Sequence, residues 1–241
     1  MPQVRIGTSG WTYPHWVGPY YPARTSQSAM LSCYARDFDS VEVNHSFYRM
    51  PLPHMLRVCR ETTPPDFVFA VKVHRYLTHR LRLQGVEQAV LNFVRRVALL
   101  GPKLGPLLLQ FPETFRCDPP RLRAFLELLP PRLRFAFEFR HLSWFTEEVY
   151  AALRAHGAGL VLADTPDYPA VEEPTADFVY ARLHGGEVLY RSPYTVPQLE
   201  QWRDRIRGWC AEGRDVYVYF DNDFLAFAPD NAKRLRDMVL G

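Results

Sequence analysis

Residues 135–140 read FAFEFR, and side chains alternating along a strand place Phe135, Phe137 and Phe139 on one face and Ala136, Glu138 and Arg140 on the other. A carboxylate and a guanidinium are costly to bury unpaired, so such a pair either ties itself down or serves a ligand. The same oddity recurs along the chain. SVEVN (40–44) sets Glu42 and Asn44 opposite Val41 and Val43, and FVYARLH (178–184) puts Tyr180, Arg182 and His184 on one face. VRIGTS (4–9), FVFAVKV (67–73), PLLLQF (106–111), AGLVLAD (158–164) and DVYVYFD (215–221) finish at or near Ser9, Lys72, Gln110, Asp164 and Asp221.

The chemistry follows from the mixture. Glu42, Glu138, Asp164 and Asp221 are set against Lys72, Arg140 and Arg182, with His184 as the titratable member. Cations interleaved with carboxylates suit a polar organic ligand, with Lys72, Arg140 and Arg182 holding an anionic or carbonyl group. Glu138 and Asp164 are then the acid/base candidates and His184 a proton shuttle. Ser9, Glu42, Asn44, Gln110 and Asp221 complete the lining. No cofactor is called for. A divalent metal is the second reading, because three cations sit among the carboxylates and no H-E-x-x-H or paired-His spacing is present. An imine at Lys72 is conceivable, but its carboxylate neighbours are expected to raise its pKa and so disfavour it. Any single Arg–carboxylate pair is as readily a structural tie as a functional one. Agreement across all the strands favours function.

These residues need a scaffold that brings strand ends together. Eight strand-like runs alternate with helical patterns, among them Leu31, Tyr34, Ala35 and Phe38; Val86, Val90, Phe93, Val94 and Val97; and Leu199, Trp202, Ile206 and Trp209. Pro197, Thr146, Gly157 and Gly213 punctuate helix ends. Eight β–α alternations predict a single (β/α)8 TIM-type barrel over residues 1–241, its C-terminal mouth carrying the polar ends. A doubly wound open sheet is the competitor, but GTSGWTYPHW after the first run has the wrong glycine spacing for its phosphate turn. Residues 165–177 carry three prolines, so the sixth crossover is predicted to be mostly loop.

The predicted post-strand loops are aromatic. Trp11, Trp16, Tyr48 and Trp144 are the candidate ligand walls. Gly185 and Gly186 beside Arg182 suggest a phosphate or carboxylate cradle, a weak signal since paired glycines are more often a turn. His15, His45, His54, His79 and His156 read as surface or loop residues.

Composition bounds the function. The 241 residues are 47% hydrophobic and 23% charged, with 29 basic and 26 acidic residues for a formal charge of +3. That excess is too small, and too evenly spread, to imply a polyanionic partner. Cys33, Cys59, Cys117 and Cys210 form no C-x-x-C pair and read as reduced structural thiols. No secretory leader pattern and no run of 18 apolar residues is present, which predicts a cytoplasmic protein with no membrane partner.

The stretches IGTSGWTYPHW, VEVNHSFYRMP, FAVKV, LLLQFP, FEFRHLSW, LADTP, YARLHG and VYFDND with APDNA together resemble the YecE-like family, domain of unknown function 72. The resemblance covers nearly the whole chain and implies a TIM-type barrel with no established activity. Its polar motif residues fall here on Ser9, Asn44, Lys72, Gln110, Glu138, Arg140, Asp164, Arg182, His184, Asp221 and Asn222, adding Asn222 to the binding candidates.

Three functions compete on these residues. The first is an enzyme acting on a small polar molecule, such as a sugar, nucleoside or phosphorylated metabolite, by hydrolysis, isomerisation or lyase chemistry. The second is a nucleic-acid enzyme or binder, with stacking aromatics and metals on Glu42, Glu138, Asp164 and Asp221. The third is a non-catalytic ligand-binding module.

Overall fold

A computed structural model describes residues 2–165 and 169–241. Eight parallel strands run β1 Val4–Thr8, β2 Ser40–Val43, β3 Val68–Lys72, β4 Leu104–Gln110, β5 Phe135–Glu138, β6 Gly159–Asp164, β7 Phe178–Leu183 and β8 Asp215–Phe220. Each pairs with its neighbour in sequence, and β8 returns to β1. The remaining seam, β1 to β2, is joined by a bridge between Ser9 and Glu42, where Gly10 N donates to Glu42 O at 2.8 Å. Gly7 permits this approach, since a Cβ there would lie 2.2 Å from Ser40 O. The expected barrel is present and nearly closed.

The helices are α1 Met30–Asp37, α2 His45–Tyr48, α3 Pro53–Thr62, α4 Glu87–Val97, α5 Pro119–Leu126, α6 Glu147–Ala155, α7 Val196–Ala211 and α8 Phe227–Leu240. Their apolar stripes meet the outward faces of the strands. Val41, Phe69, Val71, Leu107, Leu109 and Phe137 pack with Tyr34, Phe93, Phe125 and Trp202 in this outer layer. Inside the barrel Ala70, Leu108, Ala136, Val161, Tyr180, Tyr217 and Tyr219 form a smaller apolar plug. That plug fills the lower barrel and leaves the polar strand ends stacked above it, at the mouth.

The start of α7 is set by Thr195, whose N–H is accepted by Gln198 Oε1 at 2.8 Å, and by Pro197 in its first turn. The sixth crossover contains no helix among its described residues, as its prolines predict. Thr175 anchors it, its Oγ1 accepting from Leu160 N and donating to Ala158 O. Pro166, Asp167 and Tyr168 of this linker lie outside the described residues. Among the described residues no helix is long and apolar enough to cross a membrane.

Candidate active site

The mouth is organised around Arg182, which projects inward at the end of β7 and is fully buried. A guanidinium has five N–H donors. Here Nε meets Glu42 Oε2 at 3.0 Å and Nη1 meets Glu138 Oε2 at 2.9 Å and His184 Nε2 at 3.3 Å. Nη2 meets Glu42 Oε1 at 2.9 Å, Asp221 Oδ2 at 2.8 Å and Ser9 Oγ at 3.1 Å. Every donor has a protein acceptor. Burial works against its charge, but Glu42, Glu138 and Asp221 outweigh that and raise its pKa well above the ordinary value. The expectation that Arg182 holds an anion is therefore corrected: it is the counter-charge that allows three carboxylates to share one mouth.

The carboxylates are correspondingly committed. Glu138 Oε1 accepts from Gln110 Nε2 at 2.7 Å and from Arg140 Nε at 3.2 Å. Burial pushes its pKa up, but Arg182, Arg140, His184 and Lys72 overcome this and hold it well below the usual carboxylate range. A carboxylate so firmly ionised is a poor proton donor at neutral pH, which corrects its reading as general acid. Asp221 is likewise lowered to about 2, burial being outweighed by Arg182 and by the nearby His184. Tyr180 donates to Glu42 Oε2 at 2.7 Å, Ser9 Oγ donates to Glu42 Oε1, and Asn44 Nδ2 donates to Ser9 Oγ.

His184 is fully buried, with Nε2 facing an Arg182 donor and Nδ1 lying 3.1 Å from Asp221 Oδ2. Nε2 must accept, so Nδ1 carries the proton toward Asp221. Nδ1 lies within ion-pair distance of Asp221 but makes no well-aligned hydrogen bond among the described residues, so His184 is held in the ring of charges chiefly through Arg182.

Several predicted residues leave the ring. Asp164 shares the face of Leu160 and Leu162, because two residues per repeat place it outward, and its Oδ2 accepts from Trp202 Nε1 of α7 at 2.9 Å. Its acid/base role falls with that. Trp144 is fully buried, stacked on Phe139 with centroids 4.3 Å apart, and donates to Phe115 O. Trp16 is buried and donates to Asp223 O. Neither is a ligand wall. Asn222 is buried too, its Nδ2 donating to Ser192 O and Asn231 Oδ1, which ties the loop after β7 to α8. The glycine cradle is also corrected: Gly185 N donates to the Tyr194 hydroxyl, and a Cβ on Gly186 would stand 2.6 Å from Gln198 Nε2. The four carboxylates considered for metal do not converge, since three wrap Arg182 and Asp164 faces the helices.

Lys72 stands apart. Its Nζ lies 4.5 Å from the centroid of Phe47 on α2 and makes no hydrogen bond or ion pair among the described residues, while its backbone carbonyl accepts from Ser46 Oγ at 2.6 Å. Burial first, then Arg182, lowers its pKa to about 8 against the opposing pull of Glu138, Glu42 and Asp221. The carboxylates do pull it upward as expected, but burial and the Arg182 charge outweigh them. The other face of this cluster is basic. Arg75 reaches to 6.0 Å from the Phe47 centroid and the His79 ring to 5.0 Å. Burial, Arg75, Lys72, Arg140 and Arg82 together push the His79 pKa down to about 4, so His79 belongs to the site rather than to the surface.

Phe47, Arg75, His79 and Tyr180 had no place in the expected site. Tyr180 was legible by parity with Arg182; Phe47 sits on the one-turn helix α2, and Arg75 and His79 on a loop and a π-helical turn, Tyr76–Arg80, whose positions no periodicity encodes. Tyr190 also covers the mouth, edge-on to His184 at 5.5 Å. Of the predicted walls, Tyr48 is exposed on the rim, and Trp11 lines a cavity of about 370 Å³ with Gly10, Tyr13, Asn44, Met55 and Cys59.

The comparisons agree with this architecture. Residues 5–240 match the family described as protein of unknown function DUF72. The UPF0759 protein YecE of Escherichia coli K12 is 31% identical over 168 residues, covering 67% of this chain and 59% of that protein, so the match spans less than two thirds of the relative's length. The UPF0759 protein YunF of Bacillus subtilis is 26% identical over 98% of this chain and 94% of that protein. The crystal structure of a DUF72 family protein from Thermotoga maritima is similar with a TM-score of 0.89, at 30% identity over 99% of this chain and 100% of that one. Another, from Enterococcus faecalis, has a TM-score of 0.83 at 20% identity, covering 99% of this chain and 96% of that one, and bears on the fold alone.

Proposed function

The chain belongs to the DUF72 family, and from that premise and the geometry of its mouth we propose that it is an enzyme acting on a small anionic polar substrate, with Lys72 as the group that moves the proton. The observation that supports this is the Lys72 amine, a base drawn down to about 8 and left without an acceptor among the described residues, while Glu42, Glu138 and Asp221 pair with Arg182. Catalytic lysines are tuned toward neutrality in this way, by burial and by nearby cations. Arg75 and Arg140, beside a neutral His79, give the same side of the mouth a positive field, which favours a carboxylate or phosphate over a neutral sugar. Glu42, Glu138, Asp221, Arg182 and His184 act as a rigid, mutually paired charged floor of the mouth, while Lys72 rests on the Phe47 ring. Phosphorylated or carboxylated metabolites are the substrate class, and proton transfer or addition–elimination the reaction class.

Thermal shift tests this with phosphorylated sugars, small carboxylic acids and their neutral counterparts. Anions should raise Tm, less so at high salt, and Arg75→Ala should reduce the effect. Stabilisation by neutral analogues alone would overturn the reading. Once a turned-over compound is found, unchanged turnover in a folded Lys72→Met variant would remove Lys72 from the chemistry.

A further inference from the structure

Lys72, Lys103 and Lys233 are the three lysines in a chain with 29 basic residues. Two have plain structural tasks. Lys103 Nζ donates to Thr63 O at 2.7 Å and to Arg60 O, closing the C-terminal end of α3, and Lys233 pairs with Asp37 at 2.8 Å. Arginine supplies positive charge everywhere else in the mouth. At Lys72 alone the chain uses an amine, places it inward at the end of β3, lays it on the Phe47 face and gives it no acceptor among the described residues. A guanidinium stays charged at all working pH, whereas an amine can lose its proton and attack. Lys72 keeps 8% of its surface exposed, so it is desolvated but not sealed.

We infer that Lys72 forms a covalent imine with its substrate, which makes that substrate an anionic aldehyde or ketone such as a 2-oxo acid or a phosphorylated aldehyde. This rests on the reading of the mouth as an active site and narrows its substrate class. The neutral Lys72 nitrogen adds its lone pair to the carbonyl carbon, and the carbonyl oxygen takes up the proton the nitrogen loses, giving a carbinolamine. Loss of that hydroxyl with the remaining N–H proton releases one water and forms the C=N bond; one proton from solvent makes it an iminium. Phe47 shields the intermediate and offers its π face to the new cation. The lowered basicity of Lys72 fits this role, because an amine half-deprotonated near pH 8 is nucleophilic under ordinary conditions.

The test incubates the full chain separately with pyruvate, glyoxylate and glyceraldehyde 3-phosphate in the presence of sodium cyanoborohydride, whose hydride reduces C=N to a stable secondary amine. Intact mass and peptide mapping should show one adduct, equal to the probe less one oxygen atom, on Lys72 and not on Lys103 or Lys233. Lys72→Arg should abolish it, and saturating lactate, which lacks the carbonyl, should slow it. If Lys72→Arg fails to fold, site mapping in the wild type decides alone. No adduct with any probe, or equal labelling of Lys233, overturns the imine. Should the same probes then still raise Tm in an Arg75-dependent way, the imine falls and the active-site reading stands; if no anion binds, both fall.

Discussion

Arg182 and Glu42 meet in a two-point contact at the buried centre of the barrel mouth, Nε to Oε2 at 3.0 Å and Nη2 to Oε1 at 2.9 Å. Glu42 also forms the bridge to Ser9 that joins β1 to β2. The pair therefore links the charge balance of the site to the closure of the barrel. Removing one partner leaves buried charge uncompensated, which costs about 3–5 kcal/mol. Arg182→Met should lose that much in urea denaturation, with Glu138 and Asp221 also stranded. A variant as stable as wild type would show that Arg182 is not the hub.

Acid should unfold the protein through the same ring. Asp221 is lowered to about 2 in the folded state, against about 3.9 for a free aspartate, and Glu138 is shifted the same way. A depressed folded pKa contributes stability above the unfolded value and loses it as pH falls through the folded one. The Asp221 contribution should disappear between about pH 4 and pH 2. In Asp221→Asn the stability–pH curve should be flatter across that window; an identical slope would refute the linkage.

Lys72 should titrate near pH 8 and acylate far faster than an ordinary lysine below pH 9, when followed by peptide-resolved labelling. Its folded pKa lies below the usual value of about 10.4, so between about pH 8 and that value the unfolded state binds more protons. Stability contributed by this group thus rises with pH across the window. Lys72→Met should remove that rise, and a labelling midpoint near 10 would show that Lys72 is not perturbed.

Asp164 lies on the outer face, and its removal separates packing from chemistry. Asp164→Ala leaves Trp202 Nε1 without its acceptor and should cost about 1–3 kcal/mol. Anion-dependent stabilisation at the mouth should be unchanged. Loss of that stabilisation in a folded Asp164→Ala protein would return Asp164 to the site.

The barrel was legible because it is written in repeats. FAFEFR, SVEVN and FVYARLH alternate with a period of two, and the inward set of Glu42, Glu138, Arg140, Arg182 and His184 follows from counting. The same counting, applied consistently, excludes Asp164, which falls on the face of Leu160 and Leu162. Trp16 and Trp144 were misjudged because closeness to a strand end says nothing about direction, and both rings turn down into the helical layer.

The sequence by itself determined which residues face the mouth, since strand parity is a local property of the backbone. It was silent on how their charges pair, because that depends on residues from different strands meeting at hydrogen-bond distance. Only the tertiary structure decided that Arg182 takes Glu42, Glu138 and Asp221 together, and that His184 is held between Arg182 and Asp221. Lys72 is what that pairing leaves over. Its low basicity is set by burial and by the charge of Arg182, a guanidinium more than one hundred residues away in the chain, which together outweigh the upward pull of Glu138, Glu42 and Asp221.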